Sequence, residues 1–250
     1  MPLNRLDFTT RLLIDSGITE GMRILDVGCG SGDVAFLLCD LVGRSGEVIG
    51  VDHDTDAIAV ARQRTAGHTH PSLTFLKGNL QELPDSVGTF DAIAGRRVLM
   101  YQRDVVATIR ALSKCLRHGG VMVFQEHDTT MAPASVEPFP LHERAQRWIQ
   151  EMIAREGADL HIGFNLHGIF TQAGLTVGSV RVECMVQTPD VPYSLGTIVR
   201  ACLPRIIALG VASAEEVDIE TLQARLDQER SASSGIYVGD VMFGSWARKL

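Results

Sequence analysis

The chain has 250 residues, of which 45% are hydrophobic and 21% charged, a composition that can bury a substantial core and excludes a fibrous or disordered protein. Its formal net charge of −7 argues against a large nucleic-acid interface, which needs a basic face to neutralise phosphates. The five cysteines form no C-x-x-C pair, the N-terminus lacks the features of a signal peptide, and no apolar run reaches membrane-spanning length. We therefore expect a cytoplasmic single-domain protein, monomeric or homodimeric, without nucleic-acid or membrane partners.

A strand, a glycine-rich turn and a helix are predicted near the N-terminus. A short amphipathic helix over 6–16 precedes the first strand, Arg23–Val27, an apolar run with β-branched residues. Gly28, Gly30 and Gly32 then stand at alternate positions before a helix-compatible run. Because glycine lets backbone N–H groups approach a ligand and a helix N-terminus adds partial positive charge, the turn predicts a site for a nucleotide-like ligand.

The glycine spacing distinguishes two kinds of nucleotide site. A dinucleotide-binding turn has its third glycine where this chain has Asp33, whose charge would repel a pyrophosphate. The run Asp26-Val27-Gly28-x-Gly30-x-Gly32 instead resembles the first motif of the class I S-adenosylmethionine-dependent methyltransferases. In that family the turn holds the amino-acid end of the cofactor, which implies that Asp26, Gly28, Gly30 and Gly32 contact it here. The alternative is a structural glycine turn in another α/β fold.

The second predicted strand, over 47–52, ends on an acid. A carboxylate at this strand end can accept both ribose hydroxyls of an adenosine, which assigns Asp52 to the cofactor. Asp54 and Asp56 are expected to cap the next helix, over 57–64. The resemblance implies that His53 lies against the adenine or ribose, and the alternative is a solvated loop histidine. His68 and His70 have no third ligand beside them, so we predict no metal site.

The third and fourth strands, over 73–78 and 90–95, end in further candidate residues. The methyltransferase family usually has an aspartate after the third strand, accepting from the adenine amino group, with an apolar neighbour against the ring. This chain has Asn79 and Leu80 there. The asparagine carbonyl can still accept that hydrogen bond although the charge is lost, so both residues are assigned to the adenine.

The exit of the fourth strand carries Arg96, Arg97 and Tyr101, where cofactor and methyl acceptor meet in an open parallel sheet. An arginine here can pair with the cofactor carboxylate, the role given to Arg96, or with an acidic substrate group, the role given to Arg97. The alternative is a solvated pair that steadies the next helix. Because the exit lacks the Pro-Pro and Pro-Cys motifs of DNA methyltransferases, methylation of DNA bases is not expected.

A helix over 105–116, stopped by Gly119-Gly120, is predicted to lead into a fifth strand over 121–124. The strand ends in Gln125-Glu126-His127-Asp128, which offers either a general base or substrate anchor, or a cap for the loop. As a base for an acceptor that must lose a proton, we rank His127 first, then Tyr101, then Glu126.

Residues 129–173 interrupt the alternation of strands and helices, and such an insertion can cover the open end of a sheet. An amphipathic helix is predicted in it over 142–156, and a second stretch over 161–173 carries further histidine and phenylalanine side chains. Its aromatic, methionine and histidine side chains would suit an aromatic small molecule, although an apolar helical stripe can equally be plain core. The substrate candidates are Trp148, Met152, His161 and Phe164.

The remaining elements complete the predicted fold. Strands over 175–187 and 237–246 enclose helices over 195–209 and 213–228, and the resemblance implies that the last strand is antiparallel. We therefore predict a Rossmann-like, mostly parallel seven-stranded sheet with helices on both faces. In similar proteins the helix over 6–16 covers the cofactor cleft, and the alternative is packing on the sheet edge.

The resemblance implies methyl transfer from S-adenosylmethionine to an O, N or C atom of a small aromatic molecule. Val98-Leu99-Met100-Tyr101-Gln102 and the end of the fifth strand resemble small-molecule methyltransferases of natural-product biosynthesis, including antibiotic biosynthesis and some that methylate an indole carbon. Two alternatives are kept: a protein that binds the cofactor without catalysis, and a nicotinamide-dependent oxidoreductase.

Overall fold

A computed structural model describes residues 7–66, 72–83, 87–131, 133–191 and 193–250. His68 and His70 lie outside the described residues. The chain divides into two compact units. The first comprises Met1–Glu126, Ile162–Val182 and Phe243–Leu250, and the second comprises His127–His161 and Glu183–Met242.

The strands form a mixed, mostly parallel sheet. They are β1 (Arg23–Val27), β2 (Glu47–Asp52), β3 (Leu73–Lys77), β4 (Phe90–Arg96), β5 (Leu116–Asp128), β6 (Ala134–Ser135), β7 (Thr176–Gln187) and β8 (Tyr237–Arg248). Their order is β3-β2-β1-β4-β5-β8-β6, with β7 paired to β8. The pairs from β3 through β5 are parallel, and the last strands are antiparallel. The predicted Rossmann-like fold class is confirmed, and the short β6 makes the count eight strands where seven were predicted.

The helices follow the predicted positions closely. They are α1 (Phe8–Asp15), α2 (Asp33–Val42), α3 (Thr55–Thr65), α4 (Val105–Lys114), α5 (Pro140–Arg155), α6 (Ile162–Gln172), α7 (Leu195–Ala208), α8 (Ala214–Val217) and α9 (Ile219–Ser231). Of the two predicted caps, Asp54 is confirmed, since its carboxylate accepts from the N–H groups of Asp56 and Ala57, whereas Asp56 lies within the first turn of α3. Within the described ranges, none of the helices combines the length and the apolar character that crossing a membrane requires.

Two predicted boundaries are wrong for physical reasons. The helix expected to run through Leu116 ends at Lys114, and Leu116 instead opens β5 opposite Phe90 of β4, where it is 1% exposed. Pairing with a buried strand therefore outweighs the helical period of the sequence. The single helix expected over 213–228 is two helices, because Asp218 between them has φ +45 and ends the first.

The central strand β1 fixes where a ligand can approach the first unit. Ile24, Leu25 and Val27 are fully buried, and β1 lies between β2 and β4 with Asp26 beside Gly50 and Ala94. Since all three strands run in parallel, their carboxyl ends meet at one edge of the sheet, which is where ligands bind in open α/β sheets.

Candidate active site

The glycine turn after β1 leaves space for a ligand at one position. Gly30 has φ +51, and beyond its two chain neighbours no atom of the described residues lies within 4 Å of the point where its Cβ would stand. Gly28 has φ +63, and there an added Cβ would overlap the Val98 side chain. Gly28 is therefore required by packing, whereas Gly30 borders an open space. Gly32 closes the turn, with its N–H donating to the Cys29 carbonyl at 2.8 Å.

The carboxylate of Asp52 joins the ends of the first two strands. One oxygen accepts from the Gly30 N–H at 2.8 Å and the other from the Asp54 N–H at 2.9 Å, and the residue is 8% exposed. Each carboxylate oxygen can accept a second hydrogen bond, so capacity remains for a hydroxyl-bearing ligand. His53 Nδ1 lies 3.3 Å from Asp52, but 92% of its side chain is exposed, as the solvated-loop alternative expects.

Asp26 is a buried acid with unused bonding capacity. It is 1% exposed, and its Oδ2 has no hydrogen-bond partner among the described residues. Burial raises the pKa of its carboxyl to about 8, against the opposing effect of Arg96. An approaching cation would favour the ionised form and engage the unpartnered oxygen.

Arg96 and Asp33 lie together beside the glycine turn. Arg96 Nη2 is 3.7 Å from Asp33 Oδ2, and Arg64 Nη1 is 2.7 Å from the other oxygen. Burial and the nearby Arg97 lower the pKa of Arg96. Because two guanidinium groups offset the Asp33 charge, that acid repels a pyrophosphate less than the sequence alone suggests.

The residues after β3 keep an acceptor near the same edge. Asn79 is exposed, and its side-chain carbonyl accepts from the Gln81 N–H at 3.1 Å, while Leu80 is 8% exposed. The carbonyl oxygen retains a second lone pair for a donor such as an adenine amino group.

Glu126 fixes the loop at the exit of β4. It is fully buried, and one oxygen accepts from the Val98 and Leu99 N–H groups at 3.0 and 2.8 Å while the other has no hydrogen-bond partner among the described residues. Burial raises the pKa of Glu126 to about 7, although the backbone N–H groups work against the shift. This loop carries Arg97, with φ +59, and Tyr101, which is 45% exposed.

In the second unit the end of β5 meets a histidine distant in sequence. His127 is 7% exposed, and the adjacent Asp128 is 3% exposed. Asp128 Oδ1 accepts from the Thr130 N–H at 2.9 Å, and Oδ2 lies 3.6 Å from Nδ1 of His161. His161 Nδ1 is also 3.3 Å from Thr130 Oγ1. Sequence reasoning placed His161 with the substrate but missed its approach to Asp128. The signal for this pair in the sequence was the position of Asp128 at the end of a strand.

The other substrate candidates have different environments. Trp148 and Met152 of α5 are 5% and 1% exposed in the second unit, as the plain-core alternative also expects. Phe164 belongs to the first unit, is 58% exposed and packs its ring 4.7 Å from that of Phe243. The structure therefore divides this predicted set between the two units.

Sequence reasoning also missed the part that α1 plays. Its Thr9 hydroxyl is buried and donates to Gln125 Oε1 at 2.7 Å, and Arg96 Nη1 lies 3.4 Å from the same hydroxyl. Leu12 packs against β8 at Gly244. The helix thus packs against an interior strand of the sheet and contacts a predicted cofactor residue, Arg96. Among the described residues no group of three His, Cys, Asp or Glu side chains could hold a metal ion.

Comparisons with known proteins identify the family of the chain. The family model for methyltransferase domains matches residues 18–174. The demethylmenaquinone methyltransferase of Staphylococcus aureus strain MRSA252 is 30% identical to this chain, over 53% of this chain and 54% of the relative. That of Lactococcus lactis strain IL1403 is 31% identical, over 50% of each protein. The chain therefore spans about half the length of the curated relatives it matches.

Solved structures share the fold at low identity. A SAM-dependent methyltransferase from Aquifex aeolicus has a TM-score of 0.54 at 19% identity, covering 69% of this chain and 82% of that one. Phosphoethanolamine N-methyltransferase 2 of Haemonchus contortus, solved with S-adenosyl-L-methionine, has a TM-score of 0.60 at 18% identity. The match covers 96% of this chain and 52% of that one.

The residues at the carboxyl ends of β1 and β2 fit this cofactor. The unpartnered oxygen of Asp26 suits an ammonium group, the remaining capacity of Asp52 suits ribose hydroxyls, and the space at Gly30 admits a ligand. The family match covers more than half of the chain. The chain thus belongs to the methyltransferase-domain family, as its glycine turn predicts.

Proposed function

We propose that this chain transfers the methyl group of S-adenosylmethionine to an oxygen, nitrogen or carbon atom of a small aromatic molecule. The observation that carries the proposal is the 2.8 Å hydrogen bond from the Gly30 N–H to the Asp52 carboxylate. This bond holds the glycine turn and the Asp52 carboxylate together beside the open space at Gly30. The matched relatives are named as methyltransferases of demethylmenaquinone, which supports a small-molecule acceptor.

The cofactor would be held by groups of the first unit. Asp26 and Arg96 would bind its amino-acid end, Gly28, Gly30 and Gly32 would let it approach the backbone, and Asp52 with His53 would bind the ribose. Asn79 and Leu80 would take the adenine. When bound, the cofactor supplies an electrophilic methyl group on a sulfonium. The remaining work of the chain is to orient the acceptor and exclude water.

A base is needed only for an acceptor that must lose a proton. His127 is the first candidate because it is 7% exposed beside Glu126 at the carboxyl end of β5. Tyr101 is exposed enough to reach an acceptor directly. Glu126 has a pKa raised to about 7, close to that of an efficient base at neutral pH, and its hydrogen bonds to Val98 and Leu99 also hold the loop that bears Tyr101.

The acceptor itself would be bound by the exit loop and by the insertion over 129–173. Arg97 would pair with an acidic group, and Trp148, Met152, His161 and Phe164 would supply aromatic and polar contacts. We propose that the two units work as one catalytic domain, cytoplasmic and monomeric or homodimeric, without a nucleic-acid partner.

The direct test is product formation. Purified protein is incubated with S-adenosylmethionine bearing a deuterated methyl group and with a phenol, an aromatic amine, an indole and a demethylmenaquinone. Mass spectrometry should detect one acceptor class carrying the labelled methyl group. Binding of S-adenosylhomocysteine without any labelled product would favour the non-catalytic alternative.

A variant tests the base. His127→Ala should lower kcat by about a hundredfold or more, the typical contribution of a positioned base. Its affinity for S-adenosylhomocysteine, measured by calorimetry, should stay near that of the unchanged protein. Equal losses in turnover and cofactor affinity would reject the catalytic role of His127, and Tyr101→Phe and Glu126→Gln would then be compared in the same assay.

A further inference from the structure

The second unit contains a cavity that the proposed methyl transfer does not use. Its volume is about 450 Å³, within the range typical of small-molecule sites. It is lined by His142, Gln187, Pro189, Tyr193, Asp227, Gln228, Arg230 and Ser231.

Arg230 brings a buried positive charge to this cavity. It is 5% exposed, and its Nη2 donates to the backbone carbonyls of Ser233 and Gly235. Its Nε and Nη1 have no hydrogen-bond partner within the described ranges. The guanidinium carbon lies 4.7 Å from the ring centroid of Phe139, a contact that stabilises a cation only in part.

The acids near Arg230 are engaged elsewhere. Glu229 accepts from the N–H groups of Leu141 and His142 at 2.9 and 3.0 Å and lies 2.7 Å from His142 Nδ1. Asp227 accepts from the Gln223 amide at 2.8 Å. In the part of the chain that the structure describes, no carboxylate lies within 4.0 Å of the Arg230 guanidinium. A buried cation without an anion is costly, and a ligand that supplies the anion removes that cost.

Gln187 adds a second unused donor to the same cavity. It is 1% exposed, and its Nε2 has no hydrogen-bond partner among the residues described. A buried donor left unpaired destabilises the folded state, so native proteins normally satisfy such groups. Water could satisfy the neutral amide, but it cannot supply the negative charge that Arg230 lacks.

We propose that this cavity binds a small organic carboxylate. The carboxylate oxygens accept from Arg230 and Gln187, and the apolar part of the molecule lies against Pro189 and Tyr193. The geometry favours an anionic acceptor beside the arginine, because every unpartnered atom named here is a donor and Arg230 carries a positive charge. The site shares no residue with the glycine turn and Asp52, so it stands whether or not the methyl-transfer proposal does.

The test compares two ligands of equal shape and different charge. Titration calorimetry of the full chain with 1-naphthoate should give a Kd of about 1 mM or tighter, the weakest affinity at which a specific site is useful. The neutral 1-naphthamide should bind at least tenfold more weakly. Failure of 1-naphthoate to bind, or equal affinity for the two compounds, would overturn the proposal without any variant.

Variants then locate the binding. Arg230→Met should weaken 1-naphthoate binding at least tenfold, and Gln187→Leu, which keeps the side-chain size, should weaken it by a smaller factor. Arg200→Met is the matched control, since Arg200 pairs with Glu220 on the surface of the same unit and does not line the cavity. Unchanged affinity in both cavity variants would overturn the assignment.

Two further measurements separate this proposal from the methyl-transfer proposal. Asp52→Ala, which removes the acid assigned to the ribose, should leave 1-naphthoate binding unchanged. If Arg230→Met does not fold, the comparison of the two ligands and Gln187→Leu decide the matter. A change in naphthoate affinity in Asp52→Ala, in either direction, would show that the carboxylate binds at the cofactor site, and the cavity assignment would be wrong.

Discussion

The two units carry opposite kinds of unused polar group. At the carboxyl ends of β1 and β2 the unused atoms are acceptors: Asp26 Oδ2 has no hydrogen-bond partner among the residues that the structure describes, and Asp52 keeps spare lone pairs. In the cavity of the second unit the unused atoms of Arg230 and Gln187 are donors. The chemistry of the ligands should therefore be opposite too, with a cation bearing hydroxyl groups in the first unit and a carboxylate in the second.

The units also differ in how charge is compensated. Asp33, near the glycine turn, lies close to both Arg64 and Arg96, which offset its charge. Arg230 donates to backbone carbonyls and lies against an aromatic ring, and no ion pair with a carboxylate is found for it among the described residues. Substitutions that remove one kind of group should thus affect one kind of ligand alone, which makes the difference between the units testable.

The largest effect is expected at Gly30. Gly30→Ala places a methyl group in space that no protein atom occupies, so it should weaken S-adenosylhomocysteine binding by about a hundredfold, roughly 2.7 kcal/mol. Calorimetry measures the affinity. Gly157→Ala in the second unit is the matched control, because Gly157 also has positive φ, at +76, and open space at its Cβ.

Both alanine variants should lose about 1 kcal/mol of stability from the left-handed backbone. Equal cofactor affinity in Gly30→Ala and Gly157→Ala would show that the space at Gly30 does not belong to the ligand. The assignment of the cofactor to the first unit would then lose the support of this space.

The next largest effect is expected at Asp52. Asp52→Asn removes one charge and leaves one oxygen, and hydrogen bonds to charged groups contribute about 1.5–3 kcal/mol, so cofactor affinity should fall about tenfold or more. Asp54→Asn is the control, since asparagine caps a helix as well as aspartate does. Naphthoate binding in the second unit should not change in either variant. Unaltered cofactor affinity in Asp52→Asn would remove this residue from the ribose assignment.

A pH-dependent effect follows from Asp26. Its pKa is about 8, so only a minority of molecules carry the ionised form at pH 7. If the ionised acid holds the cofactor ammonium, S-adenosylhomocysteine affinity should rise between pH 6 and 8 by at most about tenfold per pH unit and then level off. Asp26→Asn should flatten this profile. A profile unchanged by the substitution would contradict the role.

The same raised pKa fixes a sign for stability. Asp26 ionises less readily in the folded protein than in the unfolded chain. As the pH rises, ionisation of this carboxyl therefore stabilises the unfolded chain more than the folded protein. The free energy of unfolding should therefore fall as the pH rises from about 4 toward 8, with a slope of at most about 1.4 kcal/mol per pH unit. Urea unfolding of Asp26→Asn, which has no such proton, should show a smaller slope.

Much of the fold follows from the sequence because its strands are short apolar runs with clear ends. The positions of β1 to β4 and the cap at Asp54 depend on local patterns alone. The start of β5 could not be predicted this way, since Leu116 completes a helical period and becomes a strand residue only through its pairing with Phe90. Asp218 likewise breaks a helix without a glycine or proline to signal it.

The first site was predictable and the second was not. Gly30 and Asp52 belong to a motif whose parts meet because parallel strands end at one edge, although their direct hydrogen bond depends on the register of β1 and β2. Gln187 and Arg230 belong to no motif, and only tertiary packing brings a strand end and a helix end to one cavity. The pairing of Asp33 with Arg64, 31 residues away, is hidden for the same reason.

The smallest effect concerns the backbone, where the units again differ. Arg97 and Asp218 are the only non-glycine residues with positive φ in the described ranges, at +59 in the first unit and +45 in the second. Aspartate tolerates this conformation better than arginine, because its short side chain bonds locally, as Asp218 does with Thr221. Strain is therefore expected at Arg97, whose N–H is held by the Gln125 carbonyl at 2.9 Å.

Arg97→Gly should raise the free energy of unfolding by up to about 1 kcal/mol, because relief of the left-handed strain exceeds the entropy lost by glycine. Arg97→Ala keeps the strain and should not stabilise, and Asp218→Gly should have little effect. If Arg97 binds an acidic group of the acceptor, both Arg97 variants should raise KM by similar factors while cofactor affinity stays the same. Stabilisation by glycine with unchanged KM in both variants would mean that the strained residue serves the shape of the β4 exit and not the substrate.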